Sequence, residues 1–324
     1  MRKPIFILSL QVILLLWSGL VQAEWFAEEQ EKMGTRVEIQ LWSDDATVAA
    51  GLIAQGMAEL DRIEELMSTY IPTSEMSRVN EKAYAEPQPV SAELFGLLET
   101  AIELSEATGG AFDISYDSVG QLYDFRAGKH PDAKQIEAQL ENIDYHHIIL
   151  DKAMQTVAFK TPGVRINLGG IAKGYAVEKV INLLREAGIE HALAAAGGDT
   201  RILGDRLGKP WIVGIRDPGK RDGIFTRMAL NDEAISTSGD YERFFIEDGK
   251  RYHHILRPAD GRPVEGVHSV SVIGPDGTLT DGLSTSLFVM GPEDGLKLLK
   301  QFPGYEALFV TNDNYYYSEG LAPD

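Results

Sequence analysis

The residues from Arg165 to Tyr175 have the sequence Arg-Ile-Asn-Leu-Gly-Gly-Ile-Ala-Lys-Gly-Tyr. Residues 164–168 are mostly apolar and predict a short strand, the paired glycines predict a turn, and residues 172–186 have the periodicity of a helix that closes at Gly188. A glycine-rich turn at a helix N-terminus lets backbone N–H groups approach a phosphate, and Lys173 adds a positive charge. A plain strand–helix turn with a surface lysine is the alternative, since the spacings of a Walker loop and of a Rossmann fingerprint are both missing.

The segments around this stretch predict mainly helices before it and mainly strands after it. Apolar periodicity indicates earlier helices at 46–67, at 91–107 with Ser91 as the N-cap, and at 134–142. Short apolar segments between turn residues indicate strands at 193–196, 211–215, 228–230, 244–246 and 270–273. The last predicted helices are 284–290 and 292–301. No Pro- or Ser-rich linker separates these parts, so we expect one α+β domain over 24–324, with mixed sheets and flanking helices.

Composition excludes several classes of protein. The chain has 324 residues, and its 49 acidic and 30 basic side chains give a net charge of −19. A nucleic-acid partner is not expected, because phosphate-backbone contacts need a basic surface. The chain has no cysteine, which excludes disulfides, thiolate metal sites, a cysteine nucleophile and a lipid-modified N-terminal cysteine.

The N-terminus has the features of an export signal. Arg2 and Lys3 precede a stretch without charge, residues 4–23, which ends in the small-x-Ala sequence Val-Gln-Ala. We expect a signal peptide over 1–23, cleaved after Ala23, and a periplasmic protein without stable membrane insertion after cleavage. An uncleaved N-terminal anchor is the alternative, because twenty uncharged residues are long enough to span a bilayer.

Oxygen ligands suited to a metal occur at the start of the apolar segment 284–290. Asp281 and Thr285 are four residues apart, so they share one face if a helix includes both. A carboxylate and a hydroxyl are hard ligands that suit Mg²⁺, whereas the alternative is an N-cap aspartate with a first-turn hydroxyl.

Two further patterns are candidates for chemistry. Gly197-Gly-Asp199 allows a close backbone approach, with Asp199 either at a ribose hydroxyl or in a simple turn. Histidines occur in the pairs 146–147 and 253–254, and His254 is the better candidate because it precedes the turn at 255–261. Ordinary strand or surface positions are the alternative for these histidines.

Nine short motifs follow one another in an order that resembles the ApbE family of FAD:protein FMN transferases. The likeness extends from about residue 33 to residue 291. Its motifs are Met33-Gly-Thr35, Met67-Ser-Thr-Tyr70, Ser77-Arg-Val-Asn80, Gly110-Ala-Phe-Asp113, Asn167-Leu-Gly-Gly-Ile-Ala-Lys-Gly-Tyr-Ala176, Gly197-Gly-Asp199, Ala234-Ile-Ser-Thr-Ser-Gly-Asp-Tyr241, His254-Ile-Leu-Arg-Pro258 and Asp281-Gly-Leu-Ser-Thr285.

The resemblance implies a two-lobed α+β fold with FAD in the cleft between the lobes. The implied reaction moves FMN from FAD onto a Ser or Thr hydroxyl of an acceptor flavoprotein subunit and releases AMP. Acceptor sites in the family resemble Asp-Gly-x-Ser/Thr-Gly-Ala-Ser/Thr. Two other activities remain open: an FAD pyrophosphatase that gives free FMN and AMP, and a non-enzymatic FAD-binding protein.

The resemblance also assigns roles to individual residues. It implies that Mg²⁺ is held by the backbone carbonyl of Gly170 and the side chains of Asp281 and Thr285. Asp281 and His254 are the expected catalytic residues, with His254 placed to assist proton transfer. Contacts to FAD, which is a substrate here, are expected from Met33, Tyr70, Ala111, Phe112, Asp113, Asn167, Lys173 and Ile255.

The chain departs from the family pattern at several positions. Asn167 stands where the family often has Asp, and Arg257 stands where the family usually has Asp before Pro258. Gly282 and Ser284 occupy positions where alanine is favoured, and Gly282 is expected to loosen the start of the metal-bearing helix.

Overall fold

The computed structural model describes residues 23–220 and 223–322. Apart from Ala23, the predicted signal peptide lies outside these residues and stays a prediction. Within the described part of the chain, no helix has both the length and the apolar character needed to cross a membrane.

The described residues form helices of very different lengths. They are α1 (Ala46–Met67), α2 (Glu75–Lys82), α3 (Ala92–Ala107), α4 (Asp117–Gly120), α5 (Ala133–Leu140), α6 (Ala172–Glu186) and α7 (Gly277–Leu299). The strands are β1 (Glu24–Lys32), β2 (Thr35–Ser43), β3 (Gln88–Pro89), β4 (Ile148–Asp151), β5 (Thr156–Phe159), β6 (Ala192–Ala196), β7 (Asp199–Leu203), β8 (Trp211–Arg216), β9 (Ile224–Leu230), β10 (Ala234–Gly239), β11 (Phe244–Glu247), β12 (Lys250–His253), β13 (Leu256–Arg257), β14 (Arg262–Pro263), β15 (Val267–Gly274), β16 (Glu306–Thr311) and β17 (Tyr315–Tyr317).

One large sheet organises the molecule, with strand order β1-β2-β6-β7-β10-β15-β16-β17. Helices α1, α6 and α7 cover one face, where residues such as Ile39, Val180 and Phe288 form the main core. The β8–β9 hairpin covers the other face through a second apolar cluster around Trp211 and Ile235. The expected α+β class is confirmed.

The sheets contain antiparallel pairs rather than the expected mixture. Every pairing between described strands is antiparallel. Short turns join β1 to β2, β6 to β7 and β16 to β17, and a strand that returns through a short turn must run antiparallel to its neighbour.

The N-terminal hairpin was not predicted from the sequence. Strands β1 and β2 pair along their full length through the two-residue turn Met33-Gly34. Both turn residues have positive φ, +52° and +69°, as a type I′ hairpin turn requires. Strand β1 lies at the edge of the sheet and its side chains are largely exposed, so its acidic sequence lacks the apolar pattern by which strands are predicted.

The prediction of a strand at 164–168 is wrong, because these residues pair with no neighbouring strand among the residues that the structure describes. Ile166 donates its N–H to Asn80 Oδ1 at 2.8 Å, and its carbonyl accepts from Asn80 Nδ2 at 2.8 Å. The N–H of Asn167 donates to the carbonyl of Ile114 at 2.9 Å. The side chain of Asn80 therefore replaces the neighbouring strand that a ladder would need.

Helix α7 begins earlier than expected. Its N-cap is Asp276, whose carboxylate accepts from the N–H of Leu279, so Asp281 lies inside the helix and is not its N-cap. The early turns contain buried polar residues such as Thr280 and Ser284, and this hides the apolar pattern. The expected break before residue 292 is confirmed at Gly291, where φ is +77°.

Candidate active site

Helices α6 and α7 touch through glycines near their N-termini. A Cβ on Gly174 would lie 2.1 Å from the carbonyl oxygen of Gly277 and 2.5 Å from Asp281 Cβ. Such distances leave no room for any side chain at Gly174. The close approach brings the glycine turn 169–170, which precedes α6, next to the first turns of α7.

Asp281 lies at the N-terminus of α6 although it belongs to α7. Its Oδ2 accepts a hydrogen bond of 2.9 Å from the N–H of Gly174, and the residue is 3% exposed. Burial and the nearby charge of Asp199 raise the pKa of Asp281 to about 7, while Lys173 and the N–H groups of 173 and 174 oppose that shift. A positive ligand would keep this carboxylate ionised.

Lys173 forms an ion pair with Asp199, which is buried at the start of β7. Burial alone would lower the pKa of Lys173, but the carboxylates of Asp199 and Asp281 outweigh it and raise the pKa. Lys173 is therefore charged. Asp199 directly follows the Gly197-Gly198 turn, which confirms the turn expected there, and its carboxylate neutralises this lysine.

Gly170 and Thr285 are neighbours across the gap between the turn and α7. A Cβ on Gly170 would lie 3.2 Å from Thr285 Oγ1 and 3.3 Å from Phe112 Cε2. Thr285 Oγ1 also lies 3.2 Å from Ser238 Oγ on β10. The structure thus brings together Gly170 and Thr285, and the Asp281–Gly174 bond adds the predicted carboxylate to the same pair of helix starts.

This donor set fits a hard cation with few protein ligands. The described ranges, 23–220 and 223–322, contain no cluster of three or more His, Asp or Glu side chains suited to a metal. A metal at this position would have Asp281 as its carboxylate, with a hydroxyl and a main-chain carbonyl. Mg²⁺ accepts such sites because it retains waters and binds substrate phosphates.

His254 is neutral at physiological pH. Burial, followed by the positive charge of Arg243, lowers the pKa of its imidazole to about 3. Its Nδ1 is buried and finds no hydrogen-bond partner among the described residues. The neighbouring His253 already has a hydrogen-bond partner, since its Nε2 lies 2.7 Å from the carbonyl oxygen of Val264. His146, from the other pair, is exposed and bound to Asp144.

Asn167 connects the glycine turn to the loop that carries Tyr70. Its Oδ1 accepts from the N–H of Gly169 at 2.8 Å, and its Nδ2 donates to Thr69 Oγ1 at 3.4 Å and to Asp117 Oδ1 at 3.3 Å. The carboxylate of Asp117 therefore lies beside Asn167, which stands where the family often has an aspartate. The ring of Tyr70 is 83% exposed and free to stack on a ligand.

Most of the remaining predicted FAD residues are bonded or packed within the protein. Met33 donates its N–H to Glu64 Oε2 at 2.8 Å, and Ile255 is buried in the main core. Both carboxylate oxygens of Asp113 accept bonds, from Ser115 and from the N–H of Tyr145. Asp113 thus caps the short turn Ile114–Tyr116, and the Phe112 ring before it is buried.

Sequence reasoning missed Arg243 in this region. Its guanidinium lies against Gly34, and its carbonyl accepts from the N–H of His254. The last motif residue before it is Tyr241, so nothing in the spacing marked Arg243 as part of the site.

Two cavities elsewhere are not part of this cluster. One of about 440 Å³ is lined by residues that include His191 and Asp232, and one of about 140 Å³ by residues that include His130 and Tyr252. No predicted site residue lines either cavity. Charge, burial and hydrogen bonding therefore define the candidate site, not cavity volume.

The fold and the site define an α+β protein with a glycine-rich turn at a helix N-terminus beside a buried carboxylate. The chain belongs to the ApbE family, whose sequence profile matches residues 33–309. It is 33% identical over 287 residues to an FAD:protein FMN transferase of Klebsiella pneumoniae, which covers 87% of each chain. An FAD:protein FMN transferase of Treponema pallidum is 31% identical over 316 residues, covering 91% of this chain and 87% of the relative.

Solved structures agree with this assignment. The crystal structure of the ApbE protein from Thermotoga maritima matches with a TM-score of 0.85 and 33% identity, covering 92% of this chain and 98% of that one. The flavin transferase ApbE from Vibrio cholerae matches with a TM-score of 0.82 and 30% identity over the same shares of the two chains.

Proposed function

We propose that this chain is an FAD:protein FMN transferase. The observation that carries the proposal is the position of buried Asp281, held at the N-terminus of α6 beside Lys173 and the glycine turn. Relatives that align over most of the chain have this activity in their names. FAD in this proposal lies in the cleft between the glycine turn, the Met33-Gly34 turn and the segment 254–255.

The proposed reaction replaces the phosphoanhydride bond of the FMN phosphorus by an ester bond to the acceptor hydroxyl. The acceptor Ser or Thr oxygen forms a bond to this phosphorus, and the bond from phosphorus to the bridging oxygen of the diphosphate breaks. AMP leaves with the bridging oxygen, and the hydroxyl proton passes to a base. Positioning and charge neutralisation supply most of the catalysis in such reactions.

Mg²⁺ is the proposed metal, with the carbonyl of Gly170 and the side chains of Asp281 and Thr285 as its protein ligands. When bound, it would neutralise charge on the diphosphate oxygens. Asp281 fits this role because a buried carboxylate with a raised pKa gains most from a positive ligand. Gly170 fits because it packs closely against Thr285, so that a Cβ at Gly170 would lie 3.2 Å from Thr285 Oγ1.

His254 is the proposed acceptor of the hydroxyl proton. A neutral imidazole with an unpartnered Nδ1 can accept a proton, whereas an already protonated one cannot. The positive charges that lower the pKa of His254 come from Arg243, His253 and Lys173. A bound diphosphate would offset them and raise the basicity of His254 during the reaction.

Two finer parts of the proposal concern partner and location. The acceptor is a flavoprotein subunit that carries an Asp-Gly-x-Ser/Thr-Gly-Ala-Ser/Thr sequence. The predicted signal peptide over residues 1–23 would deliver the enzyme to the periplasm.

A product analysis tests the reaction. Residues 24–324 are incubated with FAD and Mg²⁺, with and without an acceptor domain, and flavins and nucleotides are separated by chromatography. The transferase releases AMP in proportion to flavin on the acceptor. Free FMN in equal amount to AMP would instead identify a pyrophosphatase, and unchanged FAD would identify a flavin-binding protein.

A further inference from the structure

Arg243 bridges two elements that flank the proposed cleft. It lies between β10 and β11, and its carbonyl accepts from the N–H of His254 at 3.1 Å. Its Nη2 lies 3.2 Å from the position that a Cβ on Gly34 would occupy. The side chain therefore reaches from the segment of His254 to the Met33-Gly34 turn.

The charge of this guanidinium is not neutralised locally. No carboxylate of the described residues lies within 4.0 Å of it, whereas the nearby Arg216 and Arg251 pair with Glu242 and Asp240. Arg243 is exposed to solvent.

Lys173, the other cationic side chain of the site, is already neutralised by an acidic neighbour. Lys173 is paired with Asp199, and Asp281 adds a second acidic group beside it. The net charge of the Lys173–Asp199 pair is therefore zero, and the side chain of Asp281 adds no positive charge to it. Each phosphate of a diphosphate diester carries one negative charge, so a further positive side chain beside these groups would strengthen its attraction.

We propose that the Arg243 guanidinium binds a phosphate group of the FAD diphosphate. This inference rests on the proposed function, because it takes FAD as the ligand. The planar guanidinium can donate two parallel N–H bonds to one phosphate, which a lysine cannot do. Arg243 is close enough to His254, and to Tyr116 beside Gly169 of the glycine turn, for its positive charge to lower the pKa of both groups.

Binding measurements on the full chain test this assignment with three phosphate-bearing probes and one without phosphate. FAD, FMN, AMP and riboflavin are titrated against the wild type, Arg243→Gln and Arg243→Lys. Arg185→Gln is the matched control, since it removes the same charge near the C-terminus of α6, about 18 Å along the helix from Lys173. Thermal unfolding of each variant confirms that it is folded.

The expected result is a loss in FAD affinity of about tenfold or more for Arg243→Gln, as for a lost charge-assisted hydrogen bond, with a smaller loss for Arg243→Lys. Riboflavin affinity should stay within about twofold of the wild type, and Arg185→Gln should change nothing. A loss with FMN would place Arg243 at the flavin-side phosphate, and a loss with AMP at the adenylate-side phosphate.

Unchanged FAD affinity in Arg243→Gln, or an equal loss for riboflavin, would overturn the inference. The two proposals can fail separately. If the wild type transfers FMN while Arg243→Gln binds FAD normally, only the inference about Arg243 fails. If FAD affinity depends on Arg243 while no FMN is transferred, the binding role stands and the transferase proposal fails.

Discussion

The carboxylate of Asp281, on α7, accepts the N–H of Gly174, in the first turn of α6, at 2.9 Å. The reverse contact is also present, because Glu178 on α6 accepts the N–H of Gly277 in the first turn of α7 at 2.9 Å. Each helix therefore supplies an acceptor for the N-terminus of the other. This exchange fixes Asp281 beside the glycine turn, where the positive ends of two helix dipoles favour an anion.

Gly174→Ala should separate the two helices. The new Cβ would collide with the carbonyl of Gly277 at 2.1 Å, and backbone cannot move aside cheaply. We expect a loss of about 2–3 kcal/mol in the free energy of unfolding, together with reduced transfer activity. Gly51→Ala on α1 is the control, because a Cβ there meets nothing within 4 Å and should stabilise the protein by about 0.5–1 kcal/mol. Equal stability of the two variants would contradict the close helix contact.

Asp281→Asn should separate metal binding from folding. The amide still accepts the N–H of Gly174 but removes a buried charge, so the variant should unfold at a higher temperature than the wild type at pH 8 without metal. Saturating Mg²⁺, at about 100 times its Kd, should stabilise the wild type by about 2.7 kcal/mol and leave the variant unchanged. Transfer should fall by at least about 100-fold. Full activity of Asp281→Asn, or equal stabilisation of both proteins by Mg²⁺, would refute the metal role.

Tyr70→Ala should weaken FAD binding without affecting stability. The side chain is 83% exposed, so its removal costs little packing, whereas a lost aromatic stack should weaken binding by about 0.5–1.5 kcal/mol, or up to about tenfold in Kd. Fluorescence titration with FAD measures the change. Tyr84→Ala, which removes another exposed tyrosine, is the control and should bind FAD as the wild type does. The stacking role is wrong if both variants give the same Kd.

His254 should make the fold sensitive to acid. Its pKa is about 3 in the folded protein and about 6.5 in an unfolded chain, so only the unfolded state takes up this proton between those values. Stability should be complete above about pH 6.5 and fall as the pH drops towards 3, with a contribution of up to about 1.4 kcal/mol per pH unit. Burial also lowers the pKa of His253, which acts in the same direction.

Urea unfolding at several pH values measures this dependence. His254→Gln should reduce the slope between pH 6 and pH 4, while His146→Gln, which removes an exposed histidine outside the cluster, serves as the control. An identical slope for the wild type and His254→Gln would show that His254 is not held in its neutral form.

Local patterns predicted the helices well where one face is continuously apolar. Helices α1 and α6 have the expected bounds, and the expected N-cap of α3, Ser91, accepts the N–H of Leu94. The pattern failed at the start of α7, where buried polar side chains replace the apolar stripe. It failed again at 164–168, because the partner of Ile166 is Asn80, distant in sequence.

The candidate site could be predicted only in part for a similar reason. Spacing placed Asp281 and Thr285 one turn apart, and the fold places both near the glycine turn. Pairing across the chain was not visible in the spacing. The ion pair between Lys173 and Asp199 and the reach of Arg243 to Gly34 each depend on how separate strands and turns meet.

The most direct test of the transferase proposal is the intact mass of an acceptor domain after incubation with this enzyme, FAD and Mg²⁺. The domain carries one Asp-Gly-x-Thr-Gly-Ala-Thr site, and a second domain with alanine in place of its final Thr is the control. We predict that the first domain gains the mass of FMN minus water while the control gains nothing. An unmodified acceptor, in a reaction that has consumed FAD and released AMP, would contradict the transferase.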